Sequence, residues 1–339
     1  MSKQRRILIV RHDRMGDAIL ATPIPRELKK TFPDAFIAVL VREYTESIFV
    51  NNPYVDEILT LAPLKTKGFW NAVKTIRKYR FTDALMLLPN EWINYLLFFA
   101  GIKTRVGVGR KFYQTITFTK EVSRNKYIPL RHEADYCMDL ARAIGVETFN
   151  IKTEIHFSDD EKKQIEKLKK EYAPNGEKII AVHTDDGGSS PNISAAEYKK
   201  LIGELLELKN VKVALTTFKP PEKLKEIPGV LYLAKDKRQF LIDIAAFDLL
   251  ISSSTGPSHV AAAVGVKTLT LFCRLSANSP QLWSPVGNDA YYILPEEKYC
   301  KNNCPVNPDD CRFEGEGGIS GEKIVSETMK ILSIQNNIR

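Results

Sequence analysis

With 339 residues the chain exceeds what one hydrophobic core usually serves, and two domains of roughly 150–170 residues are expected. A hydrophobic content of 44% supplies both cores, yet no apolar run reaches the roughly 20 residues a bilayer span requires. The formal net charge of +8 calls for an anionic partner, and the basic residues lack a nucleic-acid motif, so nucleotide, acidic glycolipid or membrane surface fits better than DNA or RNA.

The chain enters its first strand at Arg5 to Val10 after a short basic lead with no apolar signal region, so a cytoplasmic protein is expected. Arg11 to Asp17 reads as a polar loop, and Ala18 to Lys30 as a helix whose early part Pro23 and Pro25 kink. Gly16 permits a sharp turn there. Asp17 lies at the helix start, where a carboxylate can cap the helix. The carboxyl end of a first strand in an open α/β sheet is also where ligands bind, and a carboxylate aimed there can act as a general base. Asp13 is a second acid in the same loop and reads as a solvated turn residue.

Strands follow at Phe36 to Val41 and Glu57 to Thr60, with a short helix over Tyr44 to Asn51 between them. A helix over Phe69 to Tyr79 and a strand at Asp83 to Leu88 come next, then a helix from Trp92 to Ala100 and a strand at Arg105 to Val108. His132 to Ile144 reads as a helix closed by Gly145, with Glu133 suited to its first turn. This alternation makes the first half a doubly wound parallel sheet.

Ser158 with Glu161 fits a capping box opening a charged helix to Tyr172. A strand at Lys178 to Val182 then runs into a Gly/Ser loop holding Ser189 and Ser190. Helix Ala195 to Leu208, strands Val211 to Leu215 and Val230 to Leu233, and helix Phe240 to Phe247 continue the pattern. The buried-strand run Leu249 to Ile251 stops at Ser252, Ser253, Ser254, Thr255, Gly256 and Pro257, and a small-residue helix begins. Ser254 or Thr255 can cap that helix, Pro257 suits its first turn, and Gly256 admits a ligand close to the backbone. Free N–H groups and the helix dipole make this turn an anion site, to which His259 can add a donor; an ordinary capped helix with a packed histidine is the plain alternative. A strand at Lys267 to Phe272 and a final helix, Gly321 to Ile334, complete a second doubly wound domain, and the last helix is placed where it can pack back on the domain junction. The domains are set at 1–155 and 156–339.

Cys300, Cys304 and Cys311 cluster in one loop, but three sulfurs without a nearby histidine are an incomplete zinc set, so the loop reads as structural and no metal is expected. Cys137 and Cys273 read as buried thiols.

The ordered set of motifs resembles glycosyltransferase family 9, the heptosyltransferase-like enzymes of lipopolysaccharide core assembly. It consists of Ile7 to Arg11 followed by Met15, Gly16 and Asp17; Ala21, Thr22 and Pro23; Phe32, Pro33 and Asp34; His132 and Glu133; Ser254 to Ala262; Leu271 and Phe272; and Trp283 to Gly287. The set spans nearly the whole chain. The resemblance implies an α/β GT-B fold, two Rossmann-like domains facing across a cleft, with the N-terminal one binding the acceptor and the C-terminal one the nucleotide sugar. It implies an inverting, metal-independent transfer with no cofactor and Asp17 as catalytic base. The donor, ADP-heptose as the first assignment, would lie against Ser254, Thr255, Gly256, Pro257, His259, Ser189 and Ser190. An anionic glycolipid or glycan acceptor would lie against Arg11, Arg14, Gly16 and Arg110, with peripheral contact at the inner face of the inner membrane.

Two departures stand out. Ser254 occupies the place of the family's usual aspartate, and the stretch from Ser189 to Ala196 lacks the family's phosphate-binding lysine. Arg274, Lys219 or another cation then substitutes, or the donor differs, or catalysis is weakened and a nucleotide- or glycan-binding protein of the same fold results. A nicotinamide enzyme fits less well, because neither half carries a Gly-x-Gly-x-x-Gly turn after its first strand.

Overall fold

The computed structural model describes residues 4–124, 128–185, 187–188, 190–233 and 237–334. The chain divides after His156 into two compact units. The first is built on six parallel strands, β1 (Arg6–Val10), β2 (Phe36–Val41), β3 (Glu57–Thr60), β4 (Asp83–Met86), β5 (Thr104–Val108) and β6 (Lys120–Val122), in the spatial order β3-β2-β1-β4-β5-β6. The second repeats the plan with β7 (Lys178–His183), β8 (Val211–Leu215), β9 (Val230–Tyr232), β10 (Leu249–Ser253), β11 (Lys267–Leu271) and β12 (Ala290–Ile293), in the order β12-β11-β10-β7-β8-β9.

Helices cover the sheets, so the central strands are apolar on both sides rather than alternating. Ile7 to Val10 and Leu249 to Ser253 are buried throughout. In each sheet the strand order reverses beside the first strand, between β1 and β4 and between β7 and β10. A crevice opens at the carboxyl ends there, where doubly wound sheets hold their ligands.

Element positions follow local chemistry. Ser158 Oγ accepts from the Glu161 amide at 3.2 Å and Glu161 Oε2 from the Ser158 amide at 2.8 Å, a complete capping box for helix Asp159–Tyr172. Gly145 turns the chain after helix Glu133–Arg142 at φ 106°, which a residue with a Cβ rarely adopts. The final helix, Gly321–Leu332, buries Ile324 and Val325 in the core of the second unit beside Leu201 and Leu205 of helix Ala195–Leu206.

Several sequence-based expectations change. The segment from Ala18 to Lys30 is not one kinked helix: Met15–Ile19 ends, and Pro23, which has no N–H to donate, opens a new helix, Pro23–Thr31. Gly16 is an ordinary residue of the first of these, its carbonyl accepting from Leu20, so its conformational freedom is not used. Helices Leu61–Thr66, Phe112–Ile116 and Glu297–Asn303 and strands β6 and β12 escaped the periodicity, being too short or too polar to carry it.

Candidate functional site

In the first unit the site is built where β1 ends. The Arg11 amide extends the pairing of β1 by donating to Leu40 O at 3.0 Å, which carries the residue into the core. Its side chain is 2% exposed. The guanidinium Nη2 stands 2.7 Å from Asp17 Oδ1 and 3.7 Å from Glu133 Oε1, while Nη1 reaches Cys137 Sγ at 3.5 Å. Its Nε lies 2.8 Å from Asp13 Oδ1, an ion-pair contact without hydrogen-bond alignment. The loop is pinned from β2 and beyond, Arg42 Nε donating to His12 O at 2.6 Å and Tyr44 OH to Asp13 O at 2.8 Å.

Below Arg11, Glu133 is buried in helix Glu133–Arg142 and is also paired with Arg124. His132 takes the N-cap position, its Nδ1 accepting from the Ala134 amide at 3.1 Å, so Glu133 faces the two arginines rather than capping. Cys137 follows one turn later on the same face. Asp17 is likewise not a cap. Arg14 holds that position, and the Asp17 carboxylate, 22% exposed, is gripped by Arg11 through Oδ1. Among the described residues no group bonds its other oxygen.

Charges at this strand end are strongly biased. Burial pushes the Asp13 carboxyl up to about 6, with Asp17 adding to the rise and Arg11 opposing it. Burial works against the Arg11 charge, but Cys137, Asp13 and Asp17 outweigh it and hold the cation more firmly than usual. His12 is kept neutral, lowered to about 4 by burial and by Arg42, Arg11 and Lys65. The expected acceptor contact of Arg11 therefore gives way to a buried clamp on two carboxylates. Asp13, read as a solvated turn acid, is a partner in that clamp. Glu133, Arg124 and Cys137 were missed as a set; the four-residue spacing of Glu133 and Cys137, one helical turn, was the available signal. Arg14 is exposed and makes no ion pair among the described residues, and Arg110 stands 3.8 Å from Glu121 at the surface beyond β5.

In the second unit the carboxyl ends of β8, β7, β10 and β11 present a polar row. Ser252 lies in register with His183 and Thr270, and His183 Nδ1 meets Thr216 Oγ1 at 3.0 Å. Burial lowers His183 to about 4, so the ring is neutral at ordinary pH. Thr184 and Thr217 share a 2.9 Å hydroxyl contact beside it, and Tyr198 OH donates to Asn192 Oδ1 at 2.7 Å. Ser190, Ser252, Ser253 and Thr270 are buried with hydroxyls that find no partner among the described residues. Unpaired buried hydroxyls cost stability, so four at one sheet end mark a place kept polar for a reason other than folding.

After β10, Ser254 leads to Thr255, the N-cap of helix Gly256–Ala263, with Pro257 in its first turn. The Thr255 side chain makes no capping bond, contrary to the expectation for Ser254 or Thr255; Pro257 has no N–H and the Ser258 amide donates to Thr255 O at 3.2 Å, which leaves the Gly256 amide as the first-turn donor without a partner among the described residues. Ser258 Oγ turns back to Thr255 O at 2.7 Å, and His259 is buried within the helix. Arg274 and Lys219 leave β11 and β8 at this same end, Arg274 bonded to Pro295 O at 2.6 Å and lining a cavity of about 410 Å³ with Ser279, Gln281 and Tyr292. Ser189 lies outside the described residues. Cys300 is half-buried, Cys304 exposed and Cys311 buried, all as free thiols, and among the described residues no group of three or more His, Cys, Asp or Glu is arranged to hold a metal. No helix among them is long and apolar enough to cross a membrane.

Comparison with known proteins points one way. A family model described as glycosyltransferase family 9 (heptosyltransferase) matches residues 69–308. A Haemophilus influenzae protein named only as a glycosyltransferase is 27% identical over 301 residues, 84% of this chain and 86% of its own. Escherichia coli lipopolysaccharide heptosyltransferase 3 is 23% identical over 296 residues, 81% of this chain and 84% of its own. The solved structure of E. coli ADP-heptose LPS heptosyltransferase II superposes with a TM-score of 0.77 at 18% identity, covering 97% of this chain and 98% of that one.

Proposed function

The chain belongs to glycosyltransferase family 9, a sugar-transferring enzyme of GT-B-like fold, and from that premise we propose an inverting transfer from a nucleoside-diphosphate sugar, with Asp17 as general base. The observation that carries the reading is the Asp17 carboxylate at the carboxyl end of β1, held through one oxygen by a buried arginine. Oδ2 takes the proton of an acceptor hydroxyl. The acceptor's hydroxyl oxygen forms its bond to the anomeric carbon from the face opposite the leaving group, the anomeric C–O bond to the diphosphate breaks, and its electron pair leaves on the nucleoside diphosphate.

The Gly256 amide and the positive end of helix Gly256–Ala263 stabilise the charge that develops on the diphosphate, with Thr255 and His259 beside them. Ser190, Ser252 and Thr270 supply hydroxyls near the same strand ends, and Ser254 and Ser189 complete the donor set. Arg274 or Lys219 takes the role of the family's missing lysine. The protein asks for no metal or other cofactor in this scheme. An ADP-sugar, ADP-heptose first, is the donor assigned, because one similar enzyme bears that donor in its name. The acceptor is an anionic lipopolysaccharide-type glycan, met by Arg14 and Arg110 beside Gly16, at the inner face of the cytoplasmic membrane.

Thermal-shift measurements with ADP, UDP, GDP, CMP and NAD test the donor half. A ligand that binds only the folded state adds about 2.7 kcal/mol at a hundred times its dissociation constant. Stabilisation by ADP and not by the others is expected. A response to UDP or GDP alone would replace the donor, and no response to any nucleotide would overturn the reading.

A further inference from the structure

The positive charge of this protein is concentrated in one stretch. Residues 61–118 hold ten of the 49 Lys and Arg but only two of the 41 acids, Asp83 and Glu91, so the +8 carried by these residues equals the net charge of the whole chain. Asp83 is buried, and of the ten cations only Arg105 is. Among the described residues, Arg110 is the single exposed cation of the stretch that meets a carboxylate, and that contact is loose at 3.8 Å. Lys65, Lys67, Lys74, Lys78 and Lys111 are exposed and form no ion pair among the described residues.

The same stretch exposes large apolar side chains. Trp70 is 62%, Phe112 80% and Phe118 84% exposed, and Phe99 and Ile116 join them. Phe69, Trp70 and Phe99 form a ring cluster with centroids 5.2 to 5.9 Å apart. These residues belong to helices Phe69–Lys78, Glu91–Phe99 and Phe112–Ile116, or follow directly after. The first two bury Ala72, Val73, Ile76, Ile93, Leu96 and Leu97 in one core beneath the sheet face, leaving the aromatics and lysines outward. The third is tied to the second by Asn94 Nδ2 donating to Tyr113 O at 3.1 Å. Folding needs none of these outward rings.

We infer that this helical face of the first unit docks on an anionic lipid bilayer, its aromatic side chains seated in the headgroup region and its lysines on acidic headgroups. Tryptophan and phenylalanine among lysines and arginines match that boundary, which takes apolar rings and long cationic side chains together. Each Lys or Arg near such a surface adds to the attraction, and the sum is sensitive to salt. The site chemistry fits as well: Arg110, Lys111 and Phe112 leave β5 at its carboxyl end, the end of the parallel sheet at which Asp17 also stands. The inference deepens the glycolipid-acceptor reading and rests on it for its purpose.

The test is sedimentation with vesicles of phosphatidylcholine alone and with about 30% phosphatidylglycerol, neither containing glycolipid, so the result is independent of sugar transfer and of the donor assignment. Binding to the anionic vesicles is expected, with a blue shift of Trp70 emission. Lys74→Glu with Lys78→Glu should weaken partitioning at least about tenfold at low salt and less at high salt. Phe112→Ser with Phe118→Ser should weaken it at both salts, and both variants should keep the wild-type melting temperature. Lys162→Glu with Lys163→Glu, the same charge change on helix Asp159–Tyr172, should bind like the parent. Absence of vesicle binding, equal loss in that control, or displacement of the protein from vesicles by RNA of equal charge would each overturn the inference.

Discussion

At the end of β1 a single buried guanidinium sets the behaviour of two acids. Arg11 can hold Asp13 and Asp17 because its own charge is backed from below by Glu133, which Arg124 in turn neutralises. A buried cation without such partners would be costly. Asp13 is raised to about 6 by burial, with Asp17 contributing. Below that pH Asp13 is protonated and neutral; above it a second negative charge stands in the Arg11 clamp and favours drawing the acceptor hydroxyl's proton to this strand end. The rate should therefore climb as pH rises through about 6. Asp13→Asn should remove that limb from the profile of kcat/KM while leaving nucleotide-induced stabilisation unchanged. A limb near 6 that persists in Asp13→Asn would assign it elsewhere. Sequence reasoning singled out Asp17 from its place after an apolar strand. It read Arg11 as an acceptor contact and Asp13 as a solvated turn acid, because hydropathy gives no sign that a charged residue will be buried against three carboxylates, Asp13, Asp17 and Glu133, that pair with Arg11.

The two elements proposed to meet the substrates differ in how they are primed. Helix Met15–Ile19 is too short to do more than carry Asp17, and it ends before Pro23 opens the next helix. Helix Gly256–Ala263 has no side-chain cap, keeps the Gly256 amide unbonded among the described residues, and sits beside strand ends with orphan hydroxyls. Those hydroxyls are held at a cost. Ser252→Ala or Thr270→Val should raise stability by roughly 1 kcal/mol, since each deletes an unsatisfied buried group, and should reduce the stabilisation given by the nucleotide. Thermal unfolding with and without ADP checks both at once; a variant that loses stability in the absence of ligand would show that the hydroxyl is already satisfied. The strand, turn and helix around Thr255 were legible from three serines followed by Thr-Gly-Pro. The unused cap was not, because sequence gives the capping residue type and not the rotamer it adopts.

At the scale of the molecule, alternating apolar runs and helical periods were enough to read two parallel α/β units, and the ordered motifs were enough to read the family. Strong periodicity carried the long central elements, such as β7 and helix Asp159–Tyr172. It failed for β6 and β12, edge strands with exposed polar or aromatic residues, whose place depends on a neighbour in the sheet. The uneven charge was in the composition throughout, but its meaning appears only once residues 61–118 are seen to form neighbouring helices. What joins the units in the proposed mechanism is chemistry: a base assigned to the first and a diphosphate site assigned to the second. The direct test is Asp17→Asn, assayed for turnover with an ADP-sugar and for ADP affinity on the same preparation. Turnover should fall by at least about a hundredfold with affinity nearly unchanged. Turnover equal to that of the parent would remove Asp17 from the mechanism and contradict the account.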